Sequence, residues 1–142
     1  MLMRKIILAV TLGLVSVTSQ AGSSHDCMAK AIYFESRGGS EKDMQSVGLT
    51  IMNRVKSGQF PNSVCGVVKQ KHQFSPNIRN GSAIKEKSEY EKSLSYSQKI
   101  INGTIKDFTN GAQYFHTPAV NPNWSRRFKR VYRNSQHIFY KK

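Results

Sequence analysis

The segment from Ser40 to Pro61 leaves this chain the least freedom. Ser40 is followed three residues later by Asp43, the pattern by which a hydroxyl and a carboxylate cap the opening turn of a helix. Met44, Val47, Ile51 and Val55 then recur at helical spacing. A helix over about Glu41 to Lys56 follows, and Gly58 and Pro61 end it. Its apolar stripe has to be buried, so the fold must be built around helix packing. Upstream, Asp26 is placed to cap a shorter helix running to about Arg37, with Ala31 and Phe34 on one side and Gly38-Gly39 as the stop. Glu35 falls in the last turn of that helix.

Past Pro61, the spacing of Val64, Val67 and Val68 predicts a short buried helical turn, and the polar stretch from Lys71 to Lys87 reads as a loop. Tyr90, Leu94 and Ile101 share one face of a further helix from Glu86 to Ile101, which Asn102-Gly103 ends. The tail differs in kind. Ala112 to Thr117 and His137 to Tyr140 are short, aromatic-rich and bounded by turn residues, as strands are. The expected fold class is α+β: a small, mainly helical domain with a short β element in its C-terminal third. No internal repeat or low-complexity segment interrupts it.

The first 21 residues have the three-part build of a secretory signal: Arg4 and Lys5, an apolar run from Ile6 to Val17, and Ser19-Gln20-Ala21 at the cleavage point. The run falls short of the roughly 20 residues of a membrane span, so cleavage is expected over stable membrane insertion, with an exported domain at 22–142. About 120 residues hold one core and not two. Export to the periplasm, cell wall or medium makes Cys27 and Cys65 candidates for a disulfide, the alternative being two buried thiols. No CxxC spacing accompanies them, and no metal or other cofactor is expected. Lys and Arg number 22 against 8 Asp and Glu. In the cytoplasm such a charge would point to nucleic acid; in an exported monomer it points to anionic wall polymers, the clustered Arg126, Arg127, Lys129, Arg130 and Arg133 foremost.

Glu35, preceded by Tyr33-Phe34 and followed by Ser36-Arg37-Gly38-Gly39, sits where an apolar wall can meet open space. Burial against aromatic rings disfavours the charged carboxylate, so the group stays protonated near neutral pH and can donate to a leaving oxygen. The rival reading of the same residues is a helix-terminal glutamate paired with Arg37 or a neighbouring lysine.

The blocks Ala31-Ile32-Tyr33-Phe34-Glu35-Ser36-Arg37-Gly38, Gln45-Ser46-Val47-Gly48, Ile51-Met52-Asn53-Arg54-Val55 and Phe60 to Val68 are followed in order by Gln73-Phe74-Ser75, Gly111 to His116, Pro122-Asn123-Trp124 and His137 to Tyr140. Together they resemble the SleB-type cell wall hydrolases, named for spore-cortex lysis. The resemblance implies a compact lysozyme-like or lytic-transglycosylase-like fold, peptidoglycan as substrate and Glu35 as the catalytic acid. In the lytic version one glutamic acid protonates the bond after N-acetylmuramic acid and then serves as base while the muramyl 6-hydroxyl closes an anhydro ring. A hydrolytic glycosidase ordinarily needs a second carboxylate about 5 to 9.5 Å away, and the candidates here, Glu41, Asp43, Glu86, Glu89, Glu91 and Asp107, lie on or beside other helices. The sequence departs from the family pattern at Ser36, where alanine is frequent, and in the lysine-rich segment from Asn77 to Lys92.

The same resemblance puts Asn53, Gln73, Ser75, Tyr114, His116 and Trp124 near the cleft as substrate-binding candidates. Tyr114 is expected to orient Glu35 through its hydroxyl, and Gln73 and Ser75 to share a face while Phe74 packs inward. Asn53 has an alternative role as a loop tie, and Trp124 as a lid on the core. Two other functions stay open at this point. One is an N-acetylmuramoyl-L-alanine amidase, which would need zinc, although His25, His72, His116 and His137 lack paired spacing such as HExxH. The other is a non-catalytic wall-binding module built on the basic, aromatic tail.

Overall fold

The computed structural model describes residues 20–71 and 73–142, the side chains from residue 24 onward; the expected signal lies outside the described residues up to position 19. Among the described residues five helices come in chain order: α1 (Gln20–Ser36), α2 (Glu41–Ser57), α3 (Val64–Val68), α4 (Pro76–Arg79) and α5 (Lys87–Ile101). A three-stranded sheet follows, of β1 (Tyr114–His116), β2 (Lys129–Arg133) and β3 (Ile138–Lys141). A 3-10 turn at Asn123–Arg126 lies between β1 and β2.

α2 begins as its sequence dictates. Ser40 Oγ accepts the Asp43 N–H at 3.1 Å, Asp43 Oδ2 accepts the Ser40 N–H at 2.8 Å, and Gly58 closes the other end at φ 74°. Its Met44, Val47, Leu49 and Ile51 are buried with Met28, Ala31 and Ile32 of α1, Val64, Val67 and Val68 of α3, and Ile100 of α5. Ser46 and Thr50 sit in the same core by returning their hydroxyls to Lys42 O and Ser46 O. Gly48 lets the helices close: a Cβ there would meet Ile100 Cδ1 at 2.6 Å, Ile32 Cδ1 at 3.1 Å and Met28 Sδ at 3.3 Å. The fully buried Ser93 and Ser97 give α5 an equally small surface. A Cys27–Cys65 disulfide joins α1 to α3.

The two aromatic segments expected to be strands pair directly, β1 antiparallel to β3 with Phe115 opposite Phe139. The sheet order is β1-β3-β2, and β2 comes from the basic run, with an irregularity between Arg130 and Tyr132. Three expectations need correction. Asp26 lies inside α1 and caps nothing; it pairs with Lys30 at 2.8 Å and accepts the Tyr90 hydroxyl. The 71–87 stretch contains α4, begun by Ser75 as cap with Pro76 in its first turn. Lys129–Arg133, for which the sequence offered only its charge, forms a strand that was not expected.

α2 also fastens the sheet to the helices. At its start, Asp43 accepts Ser135 N–H at 3.1 Å and Ser135 Oγ–H at 2.5 Å from the β2–β3 turn. Near its end, Asn53 donates to Ala112 O at 3.0 Å and Asp107 Oδ2 at 3.2 Å, and Arg54 Nε donates to Gln113 O at 2.6 Å just before β1.

Candidate active site

Where the helical half meets the sheet, an open cleft of about 510 Å³ has Phe34, Glu35, Gln73, Phe74, Ser75, Phe115, His116 and His137 among its lining residues. Glu35 enters from the last turn of α1, which Gly38 stops at φ 76°. Its Oε1 accepts the Ser75 N–H at 2.6 Å. Burial raises its pKa above the ordinary glutamate range, opposed by the Ser75 hydrogen bond, so the protonated form is favoured more than in a free side chain. The rival pairing with Arg37 does not form. Arg37 Nη1 donates to Glu86 Oε2 and to the Tyr33 hydroxyl, each at 2.9 Å.

The other seven carboxylates of the chain are all engaged away from the cleft. Asp26 meets Lys30, Glu41 accepts from Gln45, and Asp43 holds Ser40 and Ser135. Glu86 meets Arg37, Glu89 meets Lys92, Glu91 lies 3.9 Å from Lys87, and Asp107 accepts from Thr109 and Gly111. Glu35 is thus the one carboxylate lining the cleft. Among the described residues, no three His, Cys, Asp or Glu side chains gather as a metal-binding group.

Of the substrate-binding candidates, Gln73, Ser75 and His116 come together with Glu35. Phe74 is buried between the exposed Gln73 and the half-buried Ser75 and packs on Phe115, as alternation requires. Ser75 reaches Glu35 through its backbone; its hydroxyl caps α4 by accepting Asn77 N–H. Both ring nitrogens of His116 are occupied, Nδ1 at 2.7 Å from Thr117 O and Nε2 at 2.9 Å from the Tyr140 hydroxyl. Because a carbonyl only accepts, the neutral ring carries its proton on Nδ1.

Tyr114 and Trp124 line a smaller pocket of about 150 Å³ together with Arg54, Gln73 and Phe115. Tyr114 packs on Phe60, Trp124 and Phe128, and no hydrogen bond links it to Glu35. Trp124 also meets the His116 and Tyr140 rings, so it covers the outer face of the sheet while bordering the pocket. Asn53 lines neither space and acts as the tie described above.

Two residues escape the sequence reading. His137, buried beside Phe115 and Phe139, forms part of the cleft wall with its pKa pulled down to about 4 by burial. Arg54 is 3% exposed. Its position was legible, because it follows Val47 by seven residues and Ile51 by three and so falls on the apolar stripe of α2.

The protein is thus a small α+β domain that presents one half-buried carboxylic acid in an open, aromatic-walled cleft. The chain belongs to the Cell Wall Hydrolase family, whose sequence profile it matches over residues 38–140. It is 32% identical over 115 residues to a spore cortex-lytic enzyme of Bacillus cereus, an alignment covering 80% of this chain and 42% of that protein. The chain therefore spans less than half the length of this curated relative. Among solved structures it resembles the catalytic domain of the Bacillus cereus SleB protein, with a TM-score of 0.73 and 28% identity over 87% of this chain and 94% of that one. It also resembles the catalytic domain of the germination-specific lytic transglycosylase SleB from Bacillus anthracis, with a TM-score of 0.72 and 29% identity over 89% of this chain and 98% of that one. The fold expected from the sequence is the fold observed.

Proposed function

We propose that this chain cleaves the glycan backbone of peptidoglycan after N-acetylmuramic acid, with Glu35 as the single acid and base. The observation that carries the reading is the lone protonatable carboxylate of the cleft, each of the other seven being paired elsewhere. Protonated Glu35 gives its proton to the glycosidic oxygen as the bond from the anomeric carbon breaks. The resulting carboxylate, held by the Ser75 N–H, then takes the proton of the muramyl 6-hydroxyl as that oxygen closes onto the anomeric carbon. One carboxylate is enough for this sequence, whereas water-based hydrolysis calls for a second one across the bond. The similar catalytic domain from Bacillus anthracis is that of a lytic transglycosylase, which supports the same choice.

The place of action belongs to this proposal as well: residues 1–21 direct export and 22–142 form the catalytic domain, which works on the wall outside the cytoplasm. The Cys27–Cys65 disulfide accords with an oxidising compartment. No described helix is long and apolar enough to cross a membrane.

Mass spectrometry of fragments released from purified wall tests the chemistry. Anhydromuramyl ends are expected; reducing muramyl ends would replace the ring closure by hydrolysis, and freed peptides whose release a strong chelator stops would indicate an amidase. Glu35→Gln should lower fragment release by roughly 10² to 10⁴-fold. Release at the wild-type rate would remove Glu35 from the chemistry.

A further inference from the structure

We propose that the 150 Å³ pocket beside the cleft is a carboxylate-binding subsite, in which Arg54 receives an acidic group carried by the peptidoglycan strand. This rests on peptidoglycan being the substrate and adds a charge requirement to it. Arg54 is 3% exposed, and its guanidinium carbon lies 4.6 Å from the centre of the Phe60 ring, 5.2 Å from Tyr114 and 5.5 Å from Phe74. Nε–H is spent on Gln113 O, while the buried Nη1 has no hydrogen-bond partner among the described residues. No carboxylate pairs with it; the four ion pairs among the described residues use other cations. Burial pulls its pKa down only to about 10, so the side chain is charged at neutral pH.

A buried cation without a counter-charge is costly, and a position on an apolar helix face could be filled by leucine or methionine. An arginine there provides a charge and a planar set of donors matched to a carboxylate. The pocket is contiguous with the catalytic cleft, since Gln73 and Phe115 border both. Its volume of about 150 Å³ leaves room for a carboxylate and its neighbouring carbons. A strand lying over Glu35 can therefore place a side group against Arg54. In peptidoglycan two groups have this chemistry: the lactyl carboxylate of a muramic acid that bears no peptide, and a free carboxylate of the peptide stem.

Binding of monosaccharides, which contain no bond for Glu35 to cut, tests the subsite apart from the cleavage reading. The probes are N-acetylmuramic acid against its methyl ester, and N-acetylmuramoyl dipeptide with a free stem carboxylate against its amide. The acid of at least one pair should bind wild-type protein about tenfold more tightly than its neutral form, and the pair that does so identifies the source. Glu35→Gln should keep that preference and Arg54→Gln should lose it. Equal binding of acid and neutral forms in both pairs overturns the subsite, as does a preference that survives in Arg54→Gln. If Arg54→Gln does not fold, the Arg54 Nε–H resonance of the wild-type protein decides: it should shift with the acid and stay with the ester or amide. Failure here with wall cleavage intact would leave the enzyme reading standing; charge preference without cleavage would do the reverse.

Discussion

At the scale of single residues, the cleft is lined by two groups whose charged forms are disfavoured by burial, and they make opposite demands on pH. Glu35 has a raised pKa in the folded protein, so folding favours its protonated form; that stability is complete below the ordinary glutamate range near 4.3 and is lost as pH rises through the raised value. Glu35→Gln should accordingly melt at a higher temperature than wild type at neutral pH and above, with the gap closing below about pH 4, as calorimetry across pH would show. His137, pulled down to about 4 against an ordinary 6.5, is held neutral; the unfolded chain takes up its proton first, so this stability is present above pH 6.5 and falls away toward pH 4. His137→Phe, which keeps an aromatic ring against Phe115 and Phe139, should lessen the wild-type loss over that interval by about 2–3 kcal/mol in denaturant titrations. From composition alone the pairing with Arg37 or a neighbouring lysine was the more plausible fate for Glu35, because nothing local reveals that Glu86, 49 residues beyond Arg37, claims that arginine. The ordered blocks of the sequence, not the glutamate itself, made it stand out. The reach assigned to Tyr114 failed to appear because its ring is held among Phe60, Trp124 and Phe128, contacts made across the chain.

Among the elements, those with local signals were the legible ones. α2 has a reciprocal cap, an apolar repeat and a left-handed glycine stop, all within its own residues. β2 has no such signal: Lys129, Arg130 and Arg133 are exposed, and the strand exists because β3 supplies a partner for its backbone. Basic residues on an edge strand also discourage pairing with a second copy. α4 could have been found from Ser75-Pro76, a cap followed by a residue suited to a first turn. The Cys27–Cys65 link ties α1, the carrier of Glu35, to α3 across a separation of 38 residues. Replacing both cysteines by alanine should cost about 3–4 kcal/mol in an equilibrium unfolding experiment, the range expected for closing a loop of that size. A loss near zero would mean that helix packing alone sets the position of α1.

For the whole molecule, with its net charge of +14, we propose long-range attraction to anionic wall polymers as the first stage of encounter, before any contact at the cleft. Lys129, Arg130 and Arg133 lie exposed on β2. Changing all three to serine should weaken co-sedimentation with purified wall and flatten its salt dependence, while release from short soluble glycans stays near wild type. Equal salt dependence in the variant would place the attraction elsewhere on the surface. The opposing walls of the cleft come from parts of the chain far apart in sequence, Glu35 from the helices and His116 and His137 from the sheet, and α2 grips the second part at both of its ends. Asp43 holds the β2–β3 turn and Arg54 the strand entry, 11 residues apart, a span of about 16 Å at 1.5 Å per residue. The spacing of these two grips along α2 therefore fixes how the sheet wall of the cleft is held on the helices. One alanine inserted between Leu49 and Thr50 would advance the second grip by about 1.5 Å and swing it by about 100°, so that both ends can no longer hold at once. The acid would survive on its own helix, facing a wall that no longer meets it.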